Sequence, residues 1–195
     1  MSRIDLVALA QQRVAEVIAE GDIVIDATLG NGHDTLFLAQ RIGERGHLYG
    51  FDIQPAALAA TQQRLAQHHL LARATLLPTG HETMAAQIPA HHHSRIKAVM
   101  FNLGYLPGND HTLRTHSTTT LQALETARAL LVPDGLIVIV AYTGHNHGRA
   151  ETEAVKAWAR GLEGKGFAVE ITVPPSRQGN APELVVMRRG GSPRK

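Results

Sequence analysis

The stretch Asp26-Ala27-Thr28-Leu29-Gly30-Asn31-Gly32-His33-Asp34-Thr35 follows the short run Ile23-Val24-Ile25 and leads into an amphipathic segment. A β-branched run with no polar position predicts a strand covered on both faces, as in the interior of a parallel sheet. Two glycines then predict a tight turn into a helix over 34–41. A strand, a glycine turn and a helix in that order mark the place where an open α/β sheet takes a nucleotide-type ligand.

Outward from this unit, strand-like and helix-like stretches alternate. An amphipathic helix is expected over 6–18, with Leu6, Leu9, Ala10, Val14, Val17 and Ile18 at helical spacing. Strands are expected over 23–26, 47–52, 74–77, 96–101 and 136–141, and helices over 55–68, 82–87, 118–131 and 151–162. Two closing strands, 167–173 and 184–187, have the turn-rich stretch 174–182 between them and no helix. The rhythm predicts an α/β, Rossmann-like fold: a doubly wound, mainly parallel seven-stranded sheet with an antiparallel hairpin at one edge. One domain over 1–189 is expected, its N-terminal helix within 4–20, followed by a flexible basic tail over 190–195. Arg188, Arg189, Arg194 and Lys195 form the positive cluster at that end.

Composition narrows the chemistry. The 195 residues include no cysteine, which excludes a thiolate nucleophile, an iron–sulfur cluster and a cysteine-based zinc site. A net charge of +2 permits a nucleic-acid partner without arguing for one. No apolar run reaches the roughly 18 residues of a membrane span, and the N-terminus lacks a secretory pattern, so a cytoplasmic protein with no membrane partner is expected. His91-His92-His93 reads as a solvated loop. No metal site is expected there or at His145 and His147, because neighbours in sequence do not converge on one ion without a third ligand.

The glycine turn departs from the dinucleotide fingerprint in a way that selects the ligand. Gly30 and Gly32 let the backbone approach it, but the third glycine position holds Thr35, and Asp34 stands at the start of the helix. A carboxylate there repels a pyrophosphate and suits S-adenosylmethionine, which carries an ammonium and a sulfonium and no phosphate. Helix capping is the alternative role for Asp34. Asp52 lies about 20 residues beyond Gly32, where an acidic side chain accepts from ribose hydroxyls; Gln54 then lines the adenine edge. Gly80-His81-Glu82 follows the third strand, at the position that contacts the base.

After the fourth strand comes Phe101-Asn102-Leu103-Gly104-Tyr105-Leu106-Pro107-Gly108-Asn109-Asp110. This loop resembles the Asp/Asn-Pro-Pro-Tyr motif of methyltransferases that act on exocyclic or side-chain nitrogens. Asn102 can supply an oxygen that orients the nitrogen, and Tyr105 a ring to pack beside it. An amine acceptor must be unprotonated to react, and Asp110, His81 and His145 are candidates for the proton. Turn formation is the alternative for Asn102 and Asp110.

Taken together, the motifs at 26–35, 50–54, 80–82, 101–107 and 142–145 resemble the bacterial family long labelled rRNA methylase, whose members are tRNA methyltransferases of the modified wobble uridine. The resemblance implies the class I methyltransferase version of the fold. It also implies methylation of the primary amine of 5-aminomethyl-(2-thio)uridine at position 34, with the tRNA anticodon stem-loop as partner and a second copy of the chain as a candidate one. Cofactor contacts carry over to Asn31, Asp34, Asp52, Gln54, His81 and Glu82, with Asp26, Gly30, Gly32, Thr35 and Asn102 in the same set. The competing expectations are an rRNA or small-amine methyltransferase, a non-catalytic RNA-binding module, and an NAD(P)-dependent oxidoreductase, which Asp34 and Thr35 disfavour.

Overall fold

A computed structural model describes residues 5–104, 115–144, 146–175 and 181–191, the side chains at 146 and 147 excepted. The chain runs α1 (Leu6–Ala15), β1 (Ile23–Asp26), α2 (His33–Arg41), β2 (His47–Phe51), α3 (Pro55–Gln67), β3 (Ala74–Leu77), α4 (Met84–Gln87), β4 (Ile96–Leu103), α5 (Ser117–Leu130), β5 (Leu131–Ala141), α6 (Asn146–Arg160), β6 (Phe167–Thr172) and β7 (Glu183–Arg189). The strands form one seven-stranded sheet in the order β3-β2-β1-β4-β5-β7-β6. The first five are parallel, and β7 lies antiparallel between β5 and β6. This is the expected Rossmann-like sheet with its antiparallel edge.

Alternation along each strand divides the core in two. On one face Val24, Leu48, Ala98, Met100 and Val138 pack against Leu6, Ala10 and Val14 of α1 and Leu38 of α2. On the other, Ile25, Phe51, Val99, Phe101 and Ile139 meet Met84, Leu124, Ala127, Val155 and Ala159 of α4, α5 and α6. Both sides are covered, so residues 23–25, 98–101 and 136–141 are apolar at every position. Chain order reverses between β1 and β4, which opens a crevice at the carboxyl ends of these strands, where ligands bind in open α/β sheets. Among the described residues no helix is long and apolar enough to cross a membrane.

Several boundaries differ from the expectations. α1 ends at Ala15, three residues early, although Ile18 remains buried. β4 continues to Leu103, so Asn102 stands on the strand rather than in the loop after it. β5 starts at Leu131: Ile96 pairs with Leu131 and Ala98 with Leu136, which leaves 132–135 as a bulge with Asp134 at φ 62°. Pro133, Asp134 and Gly135 thus lie inside the strand. α6 begins at Asn146, five residues early. Arg188 and Arg189 belong to β7, where Arg188 is exposed and the Arg189 guanidinium donates to the Leu131 carbonyl. The rest of that cluster, Arg194 and Lys195, lies outside the described residues. The histidine run is a 3-10 turn rather than a solvated loop, with Tyr49 Oη and His92 Nδ1 2.7 Å apart and His93 Nε2 2.9 Å from the Ile88 carbonyl.

Candidate functional site

The glycine turn is braced from below. Asp26, at the end of β1, is wholly buried; its Oδ1 accepts from Thr28 N at 3.1 Å and its Oδ2 from Thr35 Oγ1 at 2.6 Å. Thr35 is equally buried, so the pair sets the shape of the turn and presents no exposed side-chain atom to the crevice. Burial, with the Asp34 and Asp52 carboxylates adding to it, pushes the Asp26 carboxyl up to about 7 against the two hydrogen bonds. Gly32 caps α2 in the left-handed region at φ 74°, and a Cβ there would meet Thr61 Cα of α3 at 2.9 Å. Its missing side chain therefore serves helix packing as well as the turn. Arg64, also on α3, donates from Nε to the Asn31 carbonyl at 2.8 Å.

With Gly32 as the cap, Asp34 is released for another task. Its Oδ1 accepts from Gln11 Nε2 of α1 at 2.7 Å and its Oδ2 from Asn102 Nδ2 of β4 at 2.6 Å. The Asn102 backbone N–H in turn donates to Thr28 Oγ1 at 2.7 Å. An ionised carboxylate only accepts, so Asn102 presents its amide nitrogen to Asp34, and Oδ1 points in a different direction within the amide plane. Asn102 is thus oriented by a residue from the opposite side of the glycine turn.

Asp52 lies half-buried beyond the end of β2, pinned by Gly30 N to Oδ2 at 3.1 Å and by Gln54 N to Oδ1 at 2.9 Å. Each oxygen keeps a lone pair for a ligand hydroxyl. Ile53 beside it is 57% exposed and offers an apolar surface for a planar base. Across the crevice, His81 is buried; Nδ1 lies 3.1 Å from the Ala27 carbonyl and the ring meets Phe101 edge-on at 5.6 Å. A carbonyl only accepts, so Nδ1 carries the proton and Nε2 a lone pair. Burial lowers the His81 pKa, and the ring is neutral at neutral pH. The Glu82 carboxylate folds over Gly80, where a Cβ would collide with its Oε2.

On the acceptor side, Tyr105, Asp110 and His145 lie outside the described residues. The chain leaves at Gly104 and re-enters at Thr115, whose N–H donates to the Gly104 carbonyl at 3.1 Å. Tyr142 packs on Gly104, and burial, with the Asp34 and Asp5 carboxylates near, raises its phenol above the usual range. Sequence reasoning missed four contributors: Gln11, Thr28, Ile53 and Glu151. Glu151 on α6 is 3% exposed and accepts from Thr115 Oγ1 at 2.7 Å and Thr120 Oγ1 at 2.6 Å. Only Ile53 carried a signal, as an apolar residue placed directly after the acidic strand end. Among the described residues no three histidine or carboxylate side chains are grouped to hold a metal.

The assembled site is a glycine turn, a pinned carboxylate beside an apolar patch, a second carboxylate at the helix start, and an oriented asparagine amide. Comparisons with known proteins identify the family. Residues 48–188 match the family described as "Putative rRNA methylase". A chloroplastic tRNA (mnm(5)s(2)U34)-methyltransferase of Arabidopsis thaliana is 41% identical over 155 residues, 75% of this chain and 56% of that one. The chain thus spans little more than half the length of that relative. Among solved structures, a Clostridium thermocellum protein of the same description superposes with a TM-score of 0.90 at 40% identity, covering 97% of this chain and all of the other. SMU.1697c of Streptococcus mutans, solved in complex with SAH, superposes with a TM-score of 0.85 at 30% identity, over 96% of this chain and 99% of that one.

Proposed function

Given that the chain belongs to the rRNA methylase family, we propose that it is an S-adenosylmethionine-dependent N-methyltransferase. Its substrate is the aminomethyl group of 5-aminomethyl-(2-thio)uridine at the wobble position of tRNA. The observation that carries this reading is the Asp34–Asn102 hydrogen bond, which engages the amide nitrogen and leaves the amide oxygen to accept at the carboxyl end of β4. A primary amine has N–H groups to give to that oxygen, so the same contact holds the nitrogen and turns its lone pair toward the cofactor.

The described residues suit the cofactor. Asp52, whose oxygens are held by Gly30 N and Gln54 N, would accept from the ribose hydroxyls; Ile53, Gln54 and the turn at 80–82 would hold the adenine, and Asp34 the cationic end of the molecule. When bound, S-adenosylmethionine supplies an activated methyl group on a sulfonium. The chain's own contribution is alignment, the main requirement of an in-line displacement. The amine must react unprotonated. His81, neutral and with Nε2 carrying a lone pair, is the described group able to receive that proton; Asp110 and His145 are the other two candidates, and Tyr105 is the ring assigned to the planar base.

The test is methyl transfer from labelled S-adenosylmethionine to tRNA bearing 5-aminomethyl-2-thiouridine, with unmodified tRNA, rRNA and small amines as parallel acceptors. Label at the wobble base alone is the expected result. Label in rRNA or in a small amine would move the enzyme to that substrate, and tight cofactor binding without transfer to any acceptor would favour a non-catalytic RNA-binding module.

A further inference from the structure

Glu151 is a buried carboxylate for which the reaction above has no use. Among the described residues it has no cationic partner; its oxygens are satisfied by two threonine hydroxyls alone. An unpaired carboxyl group is a costly choice for an interior position, where an apolar side chain would pack as well. Such an expense points to a constraint other than stability.

The two threonines do different things. Thr120 lies in α5, and its bond to Glu151 ties α5 to α6. Thr115 lies where the chain returns to the sheet, and its N–H holds the carbonyl of Gly104, two residues beyond Asn102. A continuous line of bonds therefore runs from Glu151 Oε2 through Thr115 to Gly104 and so to the end of β4. The other end of that strand segment is held by Thr28 and Asp34, which grip Asn102 itself. Asn102 is fixed from the cofactor side by the glycine turn and from the acceptor side by α6.

We propose that Glu151 is a positioning residue for methyl transfer: through Thr115 and Gly104 it sets the acceptor side of the β4 end, and so the placement of the Asn102 amide relative to the incoming nitrogen. The inference rests on the function proposed above. A side chain ending in two polar atoms can bond both hydroxyls at once and leave the Thr115 N–H to Gly104.

The experiment compares Thr115→Val with Thr120→Val in the full chain, each of which removes one hydroxyl from Glu151 and keeps the side-chain shape. Melting temperature, SAH affinity, and kcat and KM toward the modified tRNA are read for both. Thr115→Val is expected to lower kcat by about tenfold or more, as small misplacements of a positioned group do, with SAH affinity unchanged. Thr120→Val is expected to lower the melting temperature while keeping kcat close to wild type. Equal effects of the two variants on kcat would reduce Glu151 to a structural brace and overturn the proposal. Glu151→Gln, which can still bond both hydroxyls, is expected to keep kcat within a few-fold of wild type, and Glu151→Leu to lose it. Absence of transfer by the wild-type chain would instead strike at the proposed function, so the two failures are distinguishable.

Discussion

Thr35 Oγ1 donates to Asp26 Oδ2 across 2.6 Å beneath the glycine turn, and neither side chain is exposed to solvent. The bond joins the end of β1 to the first turn of α2, so the geometry of the ligand-facing backbone is set by a pair the ligand does not reach. Two further carboxylates, Asp34 and Asp52, stand close enough to act on Asp26. This crowding of acids has measurable consequences.

Unfolded, an aspartate loses its proton near the ordinary value of 3.8, whereas Asp26 in the folded chain keeps it to about 7. The folded state therefore binds more protons between those values, and its stability falls as pH rises through that window. The contribution is at most about 1.4 kcal/mol per pH unit. Asp26→Asn, which has no proton to lose, is expected to remove this slope in chemical denaturation series. Parallel pH profiles for variant and wild type would place the Asp26 titration elsewhere.

Asp52→Ala should weaken SAH binding by about 1.5 to 3 kcal/mol, the worth of charge-assisted hydrogen bonds to a diol. It also removes the acceptor of Gly30 N, so part of the loss will come from a looser turn. Calorimetry separates these, because 2′-deoxy SAH should lose affinity for wild type and much less for the variant. Unchanged SAH affinity in Asp52→Ala would remove this residue from the site.

Asn102→Ala is expected to leave SAH affinity near wild type and to lower kcat toward the modified tRNA by about a hundredfold, as misalignment of a reacting group does. Asn102→Asp is the more telling change. It sets an oxygen where Nδ2 now donates to Asp34 at 2.6 Å, and the melting temperature should fall as well as the rate. Full activity in either variant would end the assignment of Asn102 to the acceptor.

The His81 ring should titrate below the ordinary histidine value, since burial lowers its pKa. Protonation is then the unfavourable event: its contribution to stability is present above about 6.5, the unfolded value, and is lost as pH falls through the folded value. Nitrogen-15 chemical shifts at neutral pH should report the Nδ1–H tautomer, matching the contact with the Ala27 carbonyl. A protonated ring at neutral pH would take His81 out of consideration as the proton acceptor.

Much of this was legible because the central strands are short apolar runs and the ligand-side residues follow them at fixed offsets. Ile23-Val24-Ile25, the two glycines and the acid at 52 carry their meaning locally. What escaped depends on partners distant in sequence. Asp34 could be read as a cap until Gly32 was found in that role and Gln11 and Asn102 on its oxygens, 23 and 68 residues away. Glu151 looked like the first residue of a helix, because nothing near it announces that α6 starts at Asn146 or that Thr115 would arrive beside it. The start of β5 escaped for the same reason: the expected strand starts at 136, and only pairing with β4 reveals that it also runs ahead of the bulge at 132–135.

The placement of β7 between β5 and β6 governs how the molecule can be made. β5 and β6 both pair with a strand that follows them in the chain, so until Glu183–Arg189 is available β5 presents an open edge of uninterrupted apolar residues, Leu136 to Ala141. Unpaired edges of that kind invite pairing with other chains. A nascent or truncated form lacking β7 would thus be a candidate for chaperone capture or aggregation, and the late strand acts as the seal that makes the finished sheet safe.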